Sequence, residues 1–115
     1  MSTSHLFVDE ESLKCTEDDK FICQFARIET HYFVHGAFFR CGNQLVEDAH
    51  KIANIPTIIV QGRYDLVCPC KSAYDLSLKL KKCELNMIPD AGNSASEPGI
   101  IDGLVKATEK FKNEN

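Results

Sequence analysis

Apolar residues recur at Phe21, Phe25, Ile28 and Tyr32, a three-to-four-residue spacing that lines one side of a helix and predicts its end near Gly36. Thr16, three residues before Asp19, reads as a capping signal for its start. A second amphipathic stretch runs through Leu45, Ala49 and Ile52. It stops at Ile55-Pro56, because the residue before a proline is pushed into extended backbone. Thr57 to Gln61 is apolar enough for a buried strand. After Pro69, the residues Ala73, Leu76 and Leu80 mark a helix, and Leu85 to Ile88 a short apolar strand. Ile100, Ile101, Leu104, Val105, Thr108 and Phe111 mark a final helix. Strand, helix, strand, helix implies an α/β unit with parallel pairing and a right-handed crossover. Both strand ends then point to the same edge, which places Asp65 and Asn93 close together in space.

At 115 residues, with 43% hydrophobic and 26% charged side chains, the chain has the makings of one modest domain or part of one. Its first nineteen residues are acidic (Asp9-Glu10-Glu11, Glu17-Asp18-Asp19) and predict a poorly packed start. The organisation expected is thus 1–19 as that start, 20–54 as a helical region, and 55–115 as the α/β unit. The net charge of −4 and scattered lysines give no basic stripe, so nucleic acid is not expected as a partner. No apolar run reaches membrane-spanning length and no charged-then-apolar leader follows Met1, so the expected location is cytoplasmic. The six cysteines are irregularly spaced and read as free thiols. Cys68-Pro69-Cys70 has one residue between its cysteines, where redox and zinc motifs have two or more. No metal and no cofactor is expected.

Chemistry concentrates after the two strands. Asp65 follows Ile58-Ile59-Val60-Gln61-Gly62-Arg63-Tyr64, at the carboxyl end of a strand, where open α/β folds place their ligands. Taken alone, an acid there is equally a loop or cap residue. The corresponding loop after the second strand is Asp90-Ala91-Gly92-Asn93-Ser94-Ala95. Ser94 lacks the glycine pattern of a strained nucleophile, and Gly-x-Ser-x-Gly occurs nowhere in the 115 residues. His31 and His35, four apart, form half of a metal clamp with no evident third ligand, and read as surface or packing histidines.

Phe25-Ala26-Arg27-Ile28-Glu29-Thr30-His31-Tyr32-Phe33-Val34-His35-Gly36, then Gly62-Arg63-Tyr64-Asp65, then Asp90-Ala91-Gly92-Asn93-Ser94 together resemble the C-terminal part of proline iminopeptidases. These are α/β-hydrolase serine aminopeptidases that release N-terminal proline. The resemblance runs from about Phe21 to Phe111. It implies the end of a helical cap followed by the last two parallel strands and helices of an α/β-hydrolase fold. By the same resemblance Asp65 falls on the triad acid, Glu29 on a cap glutamate for the substrate's α-amino group, and Phe33 on an aromatic residue of the proline pocket. Glu29 and Phe33 are four apart, which sets a carboxylate beside an aromatic surface on one helical face, a combination suited to a cationic amine on an apolar ring.

Asn93 departs from the family, falling where its catalytic histidine belongs. A side-chain amide cannot take a proton from a serine near neutral pH, so general-base catalysis fails. The expectation is a chain inactive alone, whose peptide substrate would need a complementary N-terminal half, and whose uncovered strand edge favours self-association. The alternative is a non-catalytic module that holds peptides or amines through Glu29 and Phe33.

Overall fold

The structure, a computed structural model, describes residues 19–113. Apart from Asp19, the acidic start and the Thr16 cap lie outside the described residues. Helix α1 spans Asp19–Val34 and stops where the sequence predicts. Gly36, Ala37 and Phe38 then take consecutive left-handed φ values of +54°, +52° and +61° in a short 3-10 turn. Glycine adopts that backbone freely, but a residue with a Cβ pays roughly 1–2 kcal/mol. Ring packing offsets it: His35 stacks on Phe38 with centroids 5.2 Å apart, and His31 lies 4.5 Å from His35. His35 Nδ1–H donates to the His31 carbonyl at 2.8 Å, which ties the last turn of α1 to this cluster.

The second predicted helix is irregular. Helix α2 covers only Gln44–Glu47 and passes into a 3-10 turn over Asp48–Ile52. Of its predicted apolar stripe only Ala49 is buried, while Leu45 and Ile52 are exposed. One small buried residue gives little packing to hold α geometry through a short segment. The polar side takes over instead, with Asp48 accepting from Arg40 Nη2 at 2.8 Å and from Lys51 Nζ at 2.9 Å.

Strand β1 (Thr57–Gly62) leads through α3 (Cys70–Ser77) to β2 (Cys83–Ile88), and α4 (Pro98–Asn113) follows. The two strands pair in parallel with Thr57 opposite Cys83 and Gly62 opposite Ile88, as the element order required. Pro98 opens α4, a position where the missing proline N–H has no helical partner to lose. Helix α4 approaches the sheet through Gly99 and Gly103. A Cβ on Gly103 would stand 2.8 Å from Val60 Cγ1, and one on Gly99 2.7 Å from Ile88 Cγ2. Near its far end Lys110 pairs with Glu84, so α4 lies along the face carrying Glu84, Val60 and Ile88.

β1 is half-buried over most of its length, not buried as its composition suggests. A strand of a parallel sheet is usually covered on both faces and flanked on both edges. Here one partner strand and two helices do the covering. Among the described residues the buried apolar set is correspondingly small: Ala49, Ala53, Leu80, Ala91 and Ile100.

Among Gly36, Gly42, Gly62, Gly99 and Gly103 the tightest surroundings are at Gly62, where an added Cβ would lie 1.9 Å from the Gly92 carbonyl oxygen and 2.7 Å from that of Ala91. Backbone cannot yield as a side chain can. Gly62→Ala is therefore expected to destabilise by about 3 kcal/mol or more, and Gly103→Ala, which meets a valine side chain, by about 1 kcal/mol. Urea unfolding of the two variants checks the order; equal losses would refute it.

Candidate functional site

The loops after β1 and β2 meet at the carboxyl edge of the sheet. Arg63 N–H donates to the Ile88 carbonyl at 2.9 Å and Tyr64 N–H to that of Ala91 at 3.0 Å, so pairing continues past the strands. This brings the Asp65 carboxylate to the Asn93 amide, whose Nδ2 donates to Asp65 Oδ2 at 3.0 Å. The sequence expectation that these residues adjoin is met.

Asp65 is 8% exposed and takes four donors. Oδ2 accepts from Asn93 and from Gln61 Nε2 at 3.1 Å, while Oδ1 accepts from Val67 N–H at 3.0 Å and Cys68 N–H at 2.7 Å. That fills the acceptor sites of a carboxylate. Burial pushes the Asp65 carboxyl up, but the bonds from Asn93, Cys68, Gln61 and Val67 outweigh it and hold the group below the usual carboxylate range. Asp65 is thus a well-satisfied anion that orients residue 93. Asn93 donates to it as an imidazole N–H would, yet an amide oxygen is far too weak a base to accept a proton near neutral pH.

Glu29 and Phe33 are exposed on α1, Phe33 at 76%. Helix α1 packs chiefly on the Gly36–Phe38 turn, and the strands pack on each other, α3 and α4. The structure does not bring this pair together with Asp65 and Asn93 through any hydrogen bond or ion pair. An open concavity of about 920 Å³ runs along α1 past Arg27, His31 and Tyr32, and neither Glu29 nor Phe33 lines it. It is remote in lining from the Asp65 loop, so the chemistry and the large open space do not coincide. His31 and His35 pack on Phe38. Among the described residues no three His, Cys, Asp or Glu side chains gather as a metal would require, and no helix is long and apolar enough to cross a membrane. Cys23, Cys41, Cys68, Cys70 and Cys83 are free thiols; burial pushes the Cys83 thiol up.

Two site residues escaped the sequence reading. Gln61 Nε2 bonds Asp65, the Gly62 carbonyl and the Cys68 carbonyl, bracing the 61–68 turn. Its signal was a polar side chain closing an apolar run. Glu97, 6% exposed, accepts the Gly92 N–H on Oε1 at 2.9 Å. Its signal was an acid directly before Pro98, at a helix start.

A parallel strand–helix–strand unit with a fully hydrogen-bonded carboxylate after one strand and an amide after the next is an α/β arrangement of site-bearing loops at a strand edge. Sequence comparison carries the assignment further. The chain is 52% identical over 110 residues to a proline iminopeptidase of Xanthomonas citri, covering 96% of this chain and 35% of that protein. It is 49% identical over 112 residues to one of Arabidopsis thaliana (97% and 30%). With one of Neisseria meningitidis it shares 45% over 84 residues (73% and 27%). No family model matches the chain. The chain is a homologue of the proline iminopeptidases, with coverage consistent with their C-terminal portion. It spans about a third of the length of these curated relatives.

Because the Asp65 carboxyl is lowered in the folded chain, its contribution to stability is fully present above the ordinary carboxylate range and is lost as pH falls through the lowered value. Asp48 and Glu84 are lowered as well, through Lys51 and Lys110 first, so the contrast with a variant isolates Asp65. Asn93→Ala is expected to raise the Asp65 titration midpoint, to reduce stability at pH 7 by about 1 kcal/mol, and to shrink the acid-side loss. Carboxyl NMR titration with urea unfolding at pH 7 and pH 3 checks this; an unmoved Asp65 midpoint would refute it.

Proposed function

We propose that the chain is the C-terminal part of a proline iminopeptidase-type α/β-hydrolase whose general base has been replaced, and that it has no peptidase activity by itself. The observation that carries this reading is the Asn93–Asp65 hydrogen bond of 3.0 Å, in a chain about half identical to proline iminopeptidases. In this reading residues 20–54 are the end of the helical cap and residues 55–115 the end of the hydrolase core. The 1–19 segment precedes both. Asp65 is the acid that would orient a histidine and stabilise its imidazolium; Asn93 keeps the hydrogen bond and loses the proton transfer. Glu29 would receive the α-amino group of a peptide with N-terminal proline, and Phe33 would pack on the ring, once an N-terminal half completed the site. Exposure of both side chains and of the apolar length of α1 supports a missing neighbour there. The same exposed surface favours self-association of the isolated chain, and a cytoplasmic location fits the reading.

The test uses a chimera in which this chain replaces the matching third of the Xanthomonas citri relative. The chain alone is expected to release no proline from a prolyl-arylamide above the blank. The chimera should stay near that level with Asn93 and gain about 10³-fold or more with Asn93→His. Activity of the isolated chain, or a chimera equally active with either residue, would overturn the proposal.

A second reading rests on the paired exposure of Glu29 and Phe33: a non-catalytic module binding amines beside an apolar ring. It expects prolyl peptides to raise the melting temperature of the chain by a few degrees, with the shift abolished by Glu29→Ala. No shift at millimolar peptide would remove this reading.

A further inference from the structure

We infer that Glu97 is a positioning residue, whose side chain holds the Ala91–Asn93 loop so that residue 93 meets Asp65. Three of its hydrogen bonds tie the loop to the helix. Its Oε1 accepts the Gly92 N–H at 2.9 Å, its own N–H donates to the Ser94 carbonyl at 3.2 Å, and its carbonyl accepts the Ile101 N–H at 3.0 Å. One residue thus fixes the loop on both sides of Asn93 and anchors it to the first turn of α4. The environment is buried, with Glu97 6% and Ala91 1% exposed, where a backbone N–H left without an acceptor is strongly disfavoured.

Ser94 and Ser96 pair through their hydroxyls at 2.7 Å, but that contact is exposed and lies beyond Asn93. From the β1 side the loop is held at Ala91, whose carbonyl accepts the Tyr64 N–H. Gly92, directly before Asn93, is gripped by Glu97. A carboxylate at the start of α4 is also favoured by the helix dipole. The functional meaning rests on the hydrolase reading above: whichever side chain occupies position 93, amide here or imidazole in Asn93→His, Glu97 sets its distance to Asp65.

NMR of the whole chain tests this by following two signals, the Asn93 side-chain amide and the Asp65 carboxyl titration. Glu97→Gln keeps an oxygen at the Oε1 position and is expected to leave both unchanged. Glu97→Ala is expected to move the Asp65 midpoint as far as Asn93→Ala does, and to bring the Asn93 amide towards its solvent-exposed shift. Should Glu97→Ala fail to fold, Glu97→Asp decides, since it keeps the charge at the helix start but falls about one carbon short of Gly92. Ser96→Ala is the control and is expected to change neither signal. If Glu97→Ala or Glu97→Asp lowers the melting temperature while both signals stay as in the native chain, Glu97 is a helix cap only and the inference is overturned. These signals need no peptidase chemistry, so failure of the hydrolase reading would show in the chimera assay alone.

Discussion

The crossing of Gly62 beneath the Ala91–Gly92 backbone is the constraint on which the rest of the site depends. The parallel register ends with Gly62 opposite Ile88, and the chain beyond each strand must turn away within a few residues. Only because position 62 has no Cβ can the Gly92 carbonyl sit where it does. That closeness lets Tyr64 bond Ala91 and carries Asp65 to within 3.0 Å of Asn93. Separating the loops by the width of one methyl group would leave that hydrogen bond out of range, since such bonds fade beyond about 3.5 Å. The geometry at the strand edge is therefore set by backbone sterics first and by side-chain chemistry second.

Above this edge the molecule is held by little. Among the described residues the buried apolar set contains three alanines, one leucine and one isoleucine, while Phe33, Val34, Leu66 and Leu78 stand at 66–81% exposure. Apolar burial contributes roughly 25 cal/mol per Å², so side chains of this size left in water are stabilisation withheld. Parallel strands gain most of theirs from helices on both faces and strands on both edges. The relatives that match this chain are about three times as long. Among the described residues an open concavity runs along α1, and β1 is only half-buried over most of its length.

The elements legible in the sequence were those whose pattern and packing agree. Helix α1 and its stop at Gly36, the two strands and α4 follow from spacing and from glycine and proline chemistry. The parallel order followed from the crossover rule, and it alone placed Asp65 beside Asn93. The Leu45, Ala49, Ile52 stripe misled because periodicity marks a face without saying whether anything covers it; here only Ala49 is covered. Gln61 and Glu97 were missed for a different reason. Their partners include main-chain groups and, for Gln61, the Asp65 carboxylate in its own turn, and no pattern of side chains along the chain encodes where a carbonyl or an N–H will lie.

Asp65 also explains how the strand edge keeps its form with an amide at position 93. Val67 and Cys68 give it backbone N–H groups, and Gln61 and Asn93 give it amides, so the carboxylate is the hub that closes the 61–68 turn and joins it to the β2 loop. Removing it would take the acceptor from four half-buried or exposed donors at once, each such bond being worth about 1 kcal/mol. The demand on position 93 is lighter: one donor, aimed at Oδ2. An amide meets that demand as well as an imidazole, because only the donated hydrogen enters the structural account. What the amide lacks is a second nitrogen able to accept a proton, and that capacity contributes nothing to folding. Towards Asp65 an amide and an imidazole at residue 93 are therefore structurally equivalent, whereas a change at Asp65 would leave four donors without their acceptor.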